Sequence, residues 1–362
     1  MPTMRAGTKR RVRLFLGVLF LIAIGGALFG SVIGRTPLIG ALVGVINGVI
    51  VLGGIVGAEI FLPQTRLGHA LERAPFLVTL AVKWLVYQAL IVVVIGSRLV
   101  QWLVTTVLLG GDAAQAIFQQ APSLPPRVGI VIMTLFVPAY ILFVQFSRLI
   151  GESTLRDILL GRYHRSRVEE RFFLFIDIVG STPLAERIGP DAVHRFLNRV
   201  FQIASAPIDD YGGEVYQYVG DEVVITWTLA EGRVFARPLA CYFAIARALT
   251  EAAGDFQREF DTVPRLRAAL HAGPVITGVV GGSRRSIVFH GDVMNTTSRI
   301  ENATRDLQRP FLVSEDALNR IEGREAYGLA DLGPHQLRGR AAPLRLYAVT
   351  SQGEIPEIAA VQ

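Results

Sequence analysis

The sequence has almost no cysteine, and its first 150 residues have few acidic side chains. Cys241 is the only cysteine among 362 residues, which excludes an intrachain disulfide and a multi-cysteine metal site. Residues 1–150 contain 12 lysines and arginines but only 3 acidic residues, whereas the remainder contains 24 and 27. The pI near 9.8 therefore reflects the N-terminal part. A nucleic-acid-binding protein would carry that charge on its folded domain, so we expect no nucleic-acid partner.

Long apolar runs concentrate in the same N-terminal part of a sequence that is 51% hydrophobic. Four runs stand out, at residues 12–34, 38–62, 76–97 and 128–149. Each is long enough to cross about 30 Å of hydrocarbon as an α-helix. We therefore predict an N-terminal α-helical transmembrane bundle of about four helices over residues 1–150, surrounded by membrane lipid.

Positive charge predicts the orientation of this bundle. A basic cluster precedes the first run, at Arg5, Lys9, Arg10, Arg11 and Arg13, and such clusters stay in the cytoplasm. Four crossings then predict a multi-pass protein of the inner (plasma) membrane with its C-terminal half in the cytoplasm. A cleavable signal peptide is the alternative for the first run, but no small-x-small site stands out after it. The apolar segment 99–109 either extends the third helix or lies at the membrane interface.

Glu59 and Lys83 are charges that fall inside predicted spans. An unpaired charge in lipid is costly, so one interpretation is a mutual ion pair. The other is that each side chain snorkels to the interface. No chain of acidic or histidine residues crosses the membrane, which argues against a proton- or ion-coupled transporter.

The strongly charged segment 151–170 predicts a helical linker that starts near Ser153. It is either a solvated connection or a stiff connector that transmits helix motion. A folded domain over residues 171–350 and a tail at 351–362 follow.

One stretch of this domain fits a metal–phosphate site. A buried strand over residues 172–176 leads to Asp177, and Gly180, Ser181 and Thr182 then open a helix. Helix N-termini bind phosphate, and a carboxylate binds a hard cation. Many strands, however, end in Asp because of turn conformation alone.

Strands and helices alternate along the rest of the domain. A predicted hairpin has Asp221 at its tip, and a later helix carries Asn295 and Arg299 four apart on one face. The predicted helices are 183–211, 237–260, one from 291, and 314–321; the predicted strands are 172–176, 214–219, 222–227, 266–280, 286–289, 311–313 and 345–349. The order β-α-β-β-α-β, then β-α-β, predicts an α/β domain of ferredoxin-like kind.

Four motifs in this order resemble those of the class III adenylate/guanylate cyclase family. They are Phe-Ile-Asp177-Ile-Val-Gly-Ser-Thr, Tyr-Val-Gly-Asp221-Glu, His271-Ala-Gly-Pro-Val and Gly291-Asp-Val-Met-Asn295-Thr-Thr-Ser-Arg299. The resemblance covers about residues 171–349 and identifies this half as a cyclase catalytic domain. The N-terminal half is similar to the membrane anchors of some bacterial members, in hydropathy only.

The resemblance implies a metal site with two divalent cations, Mg²⁺ or Mn²⁺. Asp177, Asp221 and the backbone of Ile178 would hold these cations. The two acids would lie on one protomer, and the Asn and Arg of the catalytic helix would approach from the other. The resemblance therefore implies a homodimer with two equivalent sites.

It also implies how a nucleoside triphosphate would bind. Asn295 would orient the ribose, and Arg299 would meet the charge that builds on the α-phosphate. The further residues that would contact phosphate are Gly180, Ser181, Thr182, Arg284 and Arg338. In isolation, Asn295 could simply pack in its helix and Arg299 could pair with Asp292 or Glu301.

Two positions depart from the family pattern. The base-reading Lys expected four residues before the second metal Asp is Gln217, and its companion seven before the ribose Asn is Val288. A Gln amide can pair with the edge of adenine or of guanine, whereas Val288 offers no hydrogen bond. Family frequency favours ATP as substrate, with 3′,5′-cyclic AMP and pyrophosphate as products. GTP is the alternative substrate, and a catalytically silent, nucleotide-binding membrane sensor is the alternative function.

Overall fold

The computed structural model describes residues 6–33, 37–62, 65, 67–68, 71, 74–112, 115, 138–139, 141–143, 166–281, 286–340 and 342–351. The chain divides into two compact units, Met1–Glu152 and Ser153–Gln362.

The described residues of the first unit form three long helices, α1 (Ala6–Ile33), α2 (Pro37–Phe61) and α3 (Phe76–Leu109). Two segments, Phe15–Val32 and Gly40–Glu59, have the length and hydropathy needed to cross a membrane. Helix α3 continues past the predicted end at residue 97, so the apolar segment 99–109 extends this helix. Residues 138–139 and 141–143 are helical, and the rest of the predicted run 128–149 lies outside the described residues.

Glycines set the close approach of α1 and α2. A Cβ atom at Gly30 would collide with the carbonyl oxygen of Gly40, and one at Gly26 would collide with that of Gly44. The four-residue spacing on both helices is the small-xxx-small pattern that lets helix backbones pack closely.

Glu59 and Lys83 form the ion pair that the sequence allowed. Both side chains are buried, and they join α2 to α3. The alternative, in which each side chain snorkels separately to the interface, is wrong.

In the part of the second unit that the structure describes, eight strands form one mixed sheet. Its strands are β1 (Arg167–Ile178), β2 (Glu214–Val219), β3 (Glu222–Thr228), β4 (Leu266–Val280), β5 (Ser286–His290), β6 (Phe311–Ser314), β7 (Tyr327–His335) and β8 (Leu344–Ser351). The sheet order is β2-β3-β1-β4-β6-β8-β7, with β5 paired to β4. The first four strands in this order are those of a ferredoxin-like sheet, as predicted.

The helices of this unit are shorter than the hydrophobic periodicity predicts. They are α4 (Ser181–Ile188), α5 (Pro190–Asp210), α6 (Leu229–Arg233), α7 (Arg237–Glu251), α8 (Ala253–Phe260), α9 (Asp292–Asp306) and α10 (Glu315–Leu318), with 3₁₀ turns at Val234–Ala236 and Arg324–Ala326. The predicted helix 183–211 is interrupted at Gly189, whose φ of 83° is left-handed. Pro190 then starts the next helix, a position where its missing N–H has no consequence.

Two other predictions need correction, and one strand was missed. Strand β1 begins at Arg167, so residues 167–170 of the predicted helical linker are extended, and residues 151–165 lie outside the described residues. The predicted helix 237–260 is interrupted at Ala252. Strand β7 was not predicted, because its Gly328, Gly333 and Pro334 are weak strand formers.

Alternation along β1 divides the core into two sides. Phe172, Leu174 and Ile176 pack with α5 and α7 on one face. Phe173 and Phe175 pack with Val293 of α9 on the other. Asp177 continues the second set, so the strand period directs its carboxylate to the face that α9 covers. Cys241 is buried on the same side of the sheet as Phe172, Leu174 and Ile176.

Candidate active site

Asp177 lies near the end of β1, between two neighbouring strands. It is paired in register with Glu222 of β3 and with Arg267 of β4, and it is only 6% exposed. The Arg267 guanidinium donates a hydrogen bond to Asp177 Oδ2, and Arg305 Nη2 of α9 lies 3.8 Å from the same oxygen. A buried carboxylate thus receives two positive charges.

Asp221 is the second acid, and the β2–β3 hairpin brings it beside Asp177. Its Oδ2 accepts a hydrogen bond from Ser181 Oγ at the start of α4. Burial raises the pKa of Asp177, Arg267 opposes this effect, and the Asp221 carboxylate adds to the rise. The effect of Asp221 on the pKa of Asp177 therefore reflects the short distance between these two predicted metal ligands.

Glu222 and Glu301 are two further acids that sequence reasoning did not assign to this site. Burial, with contributions from Glu301, Asp177 and Asp221, raises the pKa of Glu222 to about 7. Burial and the charge of Asp177 likewise raise the pKa of Glu301. Glu222 directly follows Asp221 in the chain, and that adjacency was the available sequence signal. Nothing in the sequence placed Glu301, which reaches the site only through the packing of α9.

The donor set fits a hard divalent cation. Within the described ranges, no group of three or more His, Cys, Asp or Glu side chains is arranged to hold a metal ion by itself. Asp177, Asp221 and the Ile178 carbonyl would supply oxygen ligands only, and Mg²⁺ binds commonly through one or two carboxylates together with substrate phosphates and water. Glu301 Oε1 is buried next to Arg267 Nε at 3.6 Å, and both atoms lack a hydrogen-bond partner among the described residues. The site thus contains a buried oxygen of Glu301 and a buried nitrogen of Arg267 whose hydrogen bonds the described residues do not supply.

The turn at Gly180 leads into helix α4. Gly180 has a φ of 78° and immediately precedes α4. A Cβ atom there would meet no atom within 4 Å, so the left-handed conformation, not space, favours glycine. Ser181 and Thr182 form the first turn of α4, where unpaired backbone N–H groups face outward.

Asn295 and Arg299 lie on the N-terminal half of α9, apart from the acids of their own chain. Asn295 is exposed, and Arg299 Nη1 lies 3.9 Å from Asp292 Oδ1. Asp177 is instead contacted by Arg305 from the C-terminal half of the same helix. The described chain therefore brings Asp177 and Asp221 together, and brings neither Asn295 nor Arg299 to them.

The two base-reading candidates lie on different faces of the sheet by register. A β-bulge between Val215 and Gln217 sets Gln217 opposite Val224, which shares the face of Phe175 and Asp177. Val288 pairs with Gly278, on the other face. One chain does not bring them together as a pair.

Of the two arginines predicted to contact phosphate, Arg284 and Arg338, only Arg338 lies among the described residues. Arg284 lies outside the described residues. Arg338 is exposed in the turn after β7. Its neighbour Arg340, which sequence reasoning did not single out, donates a hydrogen bond to Thr296 Oγ1 of α9 at 2.9 Å.

His271 is a structural residue of the fold. It is 5% exposed, and its Nδ1 lies 2.7 Å from Ser314 Oγ. Burial lowers the pKa of His271 to about 4, so the ring is neutral at physiological pH and carries no proton to a reaction there.

Comparison with known proteins supports the motif assignment. The sequence model of the adenylate and guanylate cyclase catalytic domain matches residues 164–351. Adenylate cyclase 2 of Rhizobium meliloti is 36% identical over 227 residues, which cover 62% of this chain and 62% of the relative. Guanylate cyclase D of Mus musculus is 31% identical over 202 residues, which cover 54% of this chain and 18% of the relative. The chain thus spans less than two thirds of the length of these curated relatives.

Solved structures add agreement on the fold. A bacterial light-regulated adenylyl cyclase superposes with a TM-score of 0.50 at 22% identity, covering 60% of this chain and 65% of that one. At this identity the likeness concerns the fold alone.

Proposed function

The chain belongs to the adenylate and guanylate cyclase catalytic-domain family, and from that premise we propose that it converts ATP to 3′,5′-cyclic AMP and pyrophosphate. The observation that carries the proposal is the meeting of Asp177 and Asp221 at the end of β1 and the tip of the β2–β3 hairpin, beside the Gly180 turn. Two adjacent carboxylates next to a helix N-terminus match a triphosphate with its divalent counterions.

The acids and the Gly180 turn would hold the triphosphate end of the substrate. Asp177, Asp221 and the Ile178 carbonyl would hold Mg²⁺ or Mn²⁺, two per site, and backbone N–H groups of residues 180–182 would meet the phosphates. Cations held there would supply Lewis-acid stabilisation of phosphate oxygens and would lower the pKa of the ribose 3′-hydroxyl. Arg267 and Arg305 balance the charge of Asp177 and so keep two close carboxylates compatible with a folded site.

Asn295 and Arg299 would act on the reacting atoms. Asn295 would hold the ribose so that O3′ faces the α-phosphorus. The O3′–P bond would form as the 3′-hydroxyl releases its proton to water and the bond to the pyrophosphate oxygen breaks. Arg299 would stabilise the charge on the α-phosphate during this exchange. Arg284 and Arg338 are the remaining candidates for contacts with the departing phosphates.

The separation of these two groups supports a site shared between two copies of the chain. Asn295 is exposed on its own protomer, and Arg299 is engaged with Asp292, not with Asp177 or Asp221. A homodimer would bring the acids of one protomer to the Asn and Arg of its partner, twice by symmetry.

ATP is the favoured substrate, and GTP is the alternative. The adenylate cyclase of Rhizobium meliloti is the more similar of the two curated relatives described above, at 36% against 31% identity. Gln217 lies on the same sheet face as Asp177 and could read either purine edge through its amide. Val288 adds no hydrogen bond to that choice.

A multi-pass membrane location with a cytoplasmic catalytic domain is part of the proposal. Two helices of suitable length and hydropathy and a basic segment before the first of them support it. Large side chains that face outward on these helices, such as Leu21 and Val32, are apolar and exposed, which suits contact with lipid.

The experiment is a cyclase assay on the purified full chain in detergent with Mn²⁺ and either ATP or GTP. We expect cyclic AMP from ATP, and Asp177→Asn should reduce its rate at least about a hundredfold, since the cation contributes several kcal/mol. Asp306→Asn removes an exposed acid from the end of α9 and should leave the rate unchanged. No cyclic product from either nucleotide, with the dimer intact, would support the silent sensor and exclude the enzyme.

Complementation tests the shared site. Asp177→Ala and Asn295→Ala chains are each expected to be inactive, whereas a mixture should form heterodimers with one complete site. If heterodimers form and no activity returns, both groups act within one chain.

A further inference from the structure

The N-terminal half of α9 carries a network around Arg299 whose other members the proposed chemistry does not use. It consists of Asp292, Thr296, Arg299 and Arg340, and is called the Asp292 network below. Arg340 Nη1 donates to Thr296 Oγ1 at 2.9 Å, and Thr296 Oγ1 donates to Asp292 Oδ2 at 3.0 Å. Arg299 Nη1 lies 3.9 Å from Asp292 Oδ1, and Arg340 Nη1 lies 3.9 Å from Asp292 Oδ2. The Asp292 carboxylate therefore lies near the guanidinium groups of Arg299 and Arg340. The buried Thr296 hydroxyl bridges Arg340 and Asp292.

The same network holds the turn that contains Arg338. Gly339 has a φ of 72°, and a Cβ atom at this position would lie 3.5 Å from Arg299 Nη2. The turn thus packs directly on the Arg299 side chain. Arg340, which closes the turn by donating its N–H to Leu337 O at 3.1 Å, fastens it to α9.

From these contacts we infer that Asp292, Thr296 and Arg340 are positioning residues that fix Arg299 and the Arg338 turn for the triphosphate. The inference rests on the proposed function. A guanidinium that stabilises transition-state charge is effective only when it is held in place before the reaction. Asp292 is the acidic partner that the described residues give to Arg299, and its second oxygen ties the helix to the turn.

The exposure of the charged side chains in the Asp292 network distinguishes a positioning role in catalysis from a contribution to folding stability. The Asp292 side chain is 67% exposed, and Arg299 and Arg340 are 31% and 25% exposed. Ion pairs at such exposure contribute little to folding. Loss of Asp292 should therefore change catalysis without changing the thermal midpoint, whereas a purely structural role would change both or neither.

Asp255 offers a matched control. It also lies in the first turn of a helix, α8, and its carboxylate also serves two arginines, Arg199 and Arg258. It pairs with Arg199 of α5, and α8 packs on the face of the sheet opposite to the one that Val293 of α9 covers. Asp255→Asn removes the same charge from the same kind of helix position.

The test measures kcat and KM for ATP on the full chain, together with the thermal midpoint. Asp292→Asn should lower kcat about ten- to a hundredfold, the range expected from a small misplacement of a catalytic group. It should also raise KM, because the Arg338 turn loses part of its support, and leave the midpoint unchanged. Thr296→Val should lower kcat as well, whereas Thr296→Ser, which keeps the hydroxyl, and Asp255→Asn should not. Wild-type kcat in Asp292→Asn overturns the inference, as does a fall in kcat matched by a fall in the midpoint.

A second measurement remains decisive if the chain makes no cyclic product. Asp292→Ala, Arg340→Ala and the double variant form a cycle for binding of a non-reactive ATP analogue. Coupled, non-additive losses of affinity support the network even if the proposed activity fails. Additive losses, or none, overturn it.

Discussion

Lys83 Nζ donates hydrogen bonds to both carboxylate oxygens of Glu59, each at 2.8 Å, and Tyr87 donates to one of them from the next turn of the same helix. The pair links α2 to α3. Glu59 and Lys83 are 8% and 4% exposed, so neither charge is left to water.

This pair predicts rescue by charge exchange. Glu59→Gln or Lys83→Met alone breaks the buried ion pair, which costs about 3–5 kcal/mol, and should lower the thermal midpoint and the yield of inserted protein. The double variant Glu59→Lys with Lys83→Glu should recover most of both. Asp112→Asn, at an exposed position past the end of α3, is the control. Additive loss in the double variant would mean that the two charges act independently.

Replacing Gly25 or Gly26 of α1 by alanine should have opposite effects on stability. A Cβ at Gly26 would strike the Gly44 backbone, whereas one at Gly25 would meet nothing within 4 Å. Gly26→Ala should therefore separate α1 from α2 and lower the thermal midpoint. Gly25→Ala should be neutral or stabilising by up to about 1 kcal/mol, the usual gain of Ala over Gly in a helix. Equal effects of the two variants would contradict the close packing.

The alkylation rate of the Cys241 thiol should report unfolding of the second unit. It is fully buried, and burial raises the pKa of its thiol, so no thiolate is available to an alkylating reagent. Iodoacetamide should modify the native chain at least about a thousandfold more slowly than the unfolded chain, given a domain stability of several kcal/mol. A Cys241→Ala, Ser205→Cys variant, with its thiol on an exposed position of α5, should react at the unfolded rate. Equal rates for the two thiols would contradict the burial of Cys241.

The pKa of His271 predicts an acid-sensitive fold. Because burial lowers this pKa from an unfolded value of 6.5 to about 4, the unfolded state binds the proton first as the pH falls. The stability contribution is complete above pH 6.5 and declines by about 3 kcal/mol as the pH falls to about 4.

The measurement compares variants, because the raised pKa values of Asp177, Glu222 and Glu301 act in the opposite direction. His271→Gln should flatten the loss of Cys241 protection between pH 6.5 and 4, relative to wild type. His194→Gln, at an exposed position of α5, should keep the wild-type slope. An unchanged slope in His271→Gln would assign the acid sensitivity to other groups.

Much of the fold could be predicted from the sequence, because strand periodicity and turn residues act locally. The strand that carries Asp177, the hairpin with Asp221 at its tip and the helix that carries Asn295 were predicted from such signals. The breaks at Gly189 and Ala252 were missed because the apolar stripe continues across them, and β7 was missed because tertiary pairing stabilises a Gly- and Pro-containing strand.

The candidate site was less accessible to sequence reasoning. Arg267, Arg305 and Glu301 are distant from Asp177 in the chain, and only the packing of β4 and α9 against β1 brings them together. Arg340 is a similar case, because its neighbour Arg338 matches the family motif, yet Arg340 contacts α9. Long-range contacts of this kind leave no local pattern.

The alternation along β1 also limits how this domain can change over evolution. Phe173, Phe175 and Asp177 share a face because each is two residues from the next, so the same spacing sets both the packing and the aim of the acid. A one-residue insertion or deletion between Phe173 and Asp177 would turn either the aromatic side chains or the carboxylate to the opposite side. Relatives that keep the chemistry should therefore differ in this strand by substitution, and accept length changes only before Arg171 or beyond Thr182.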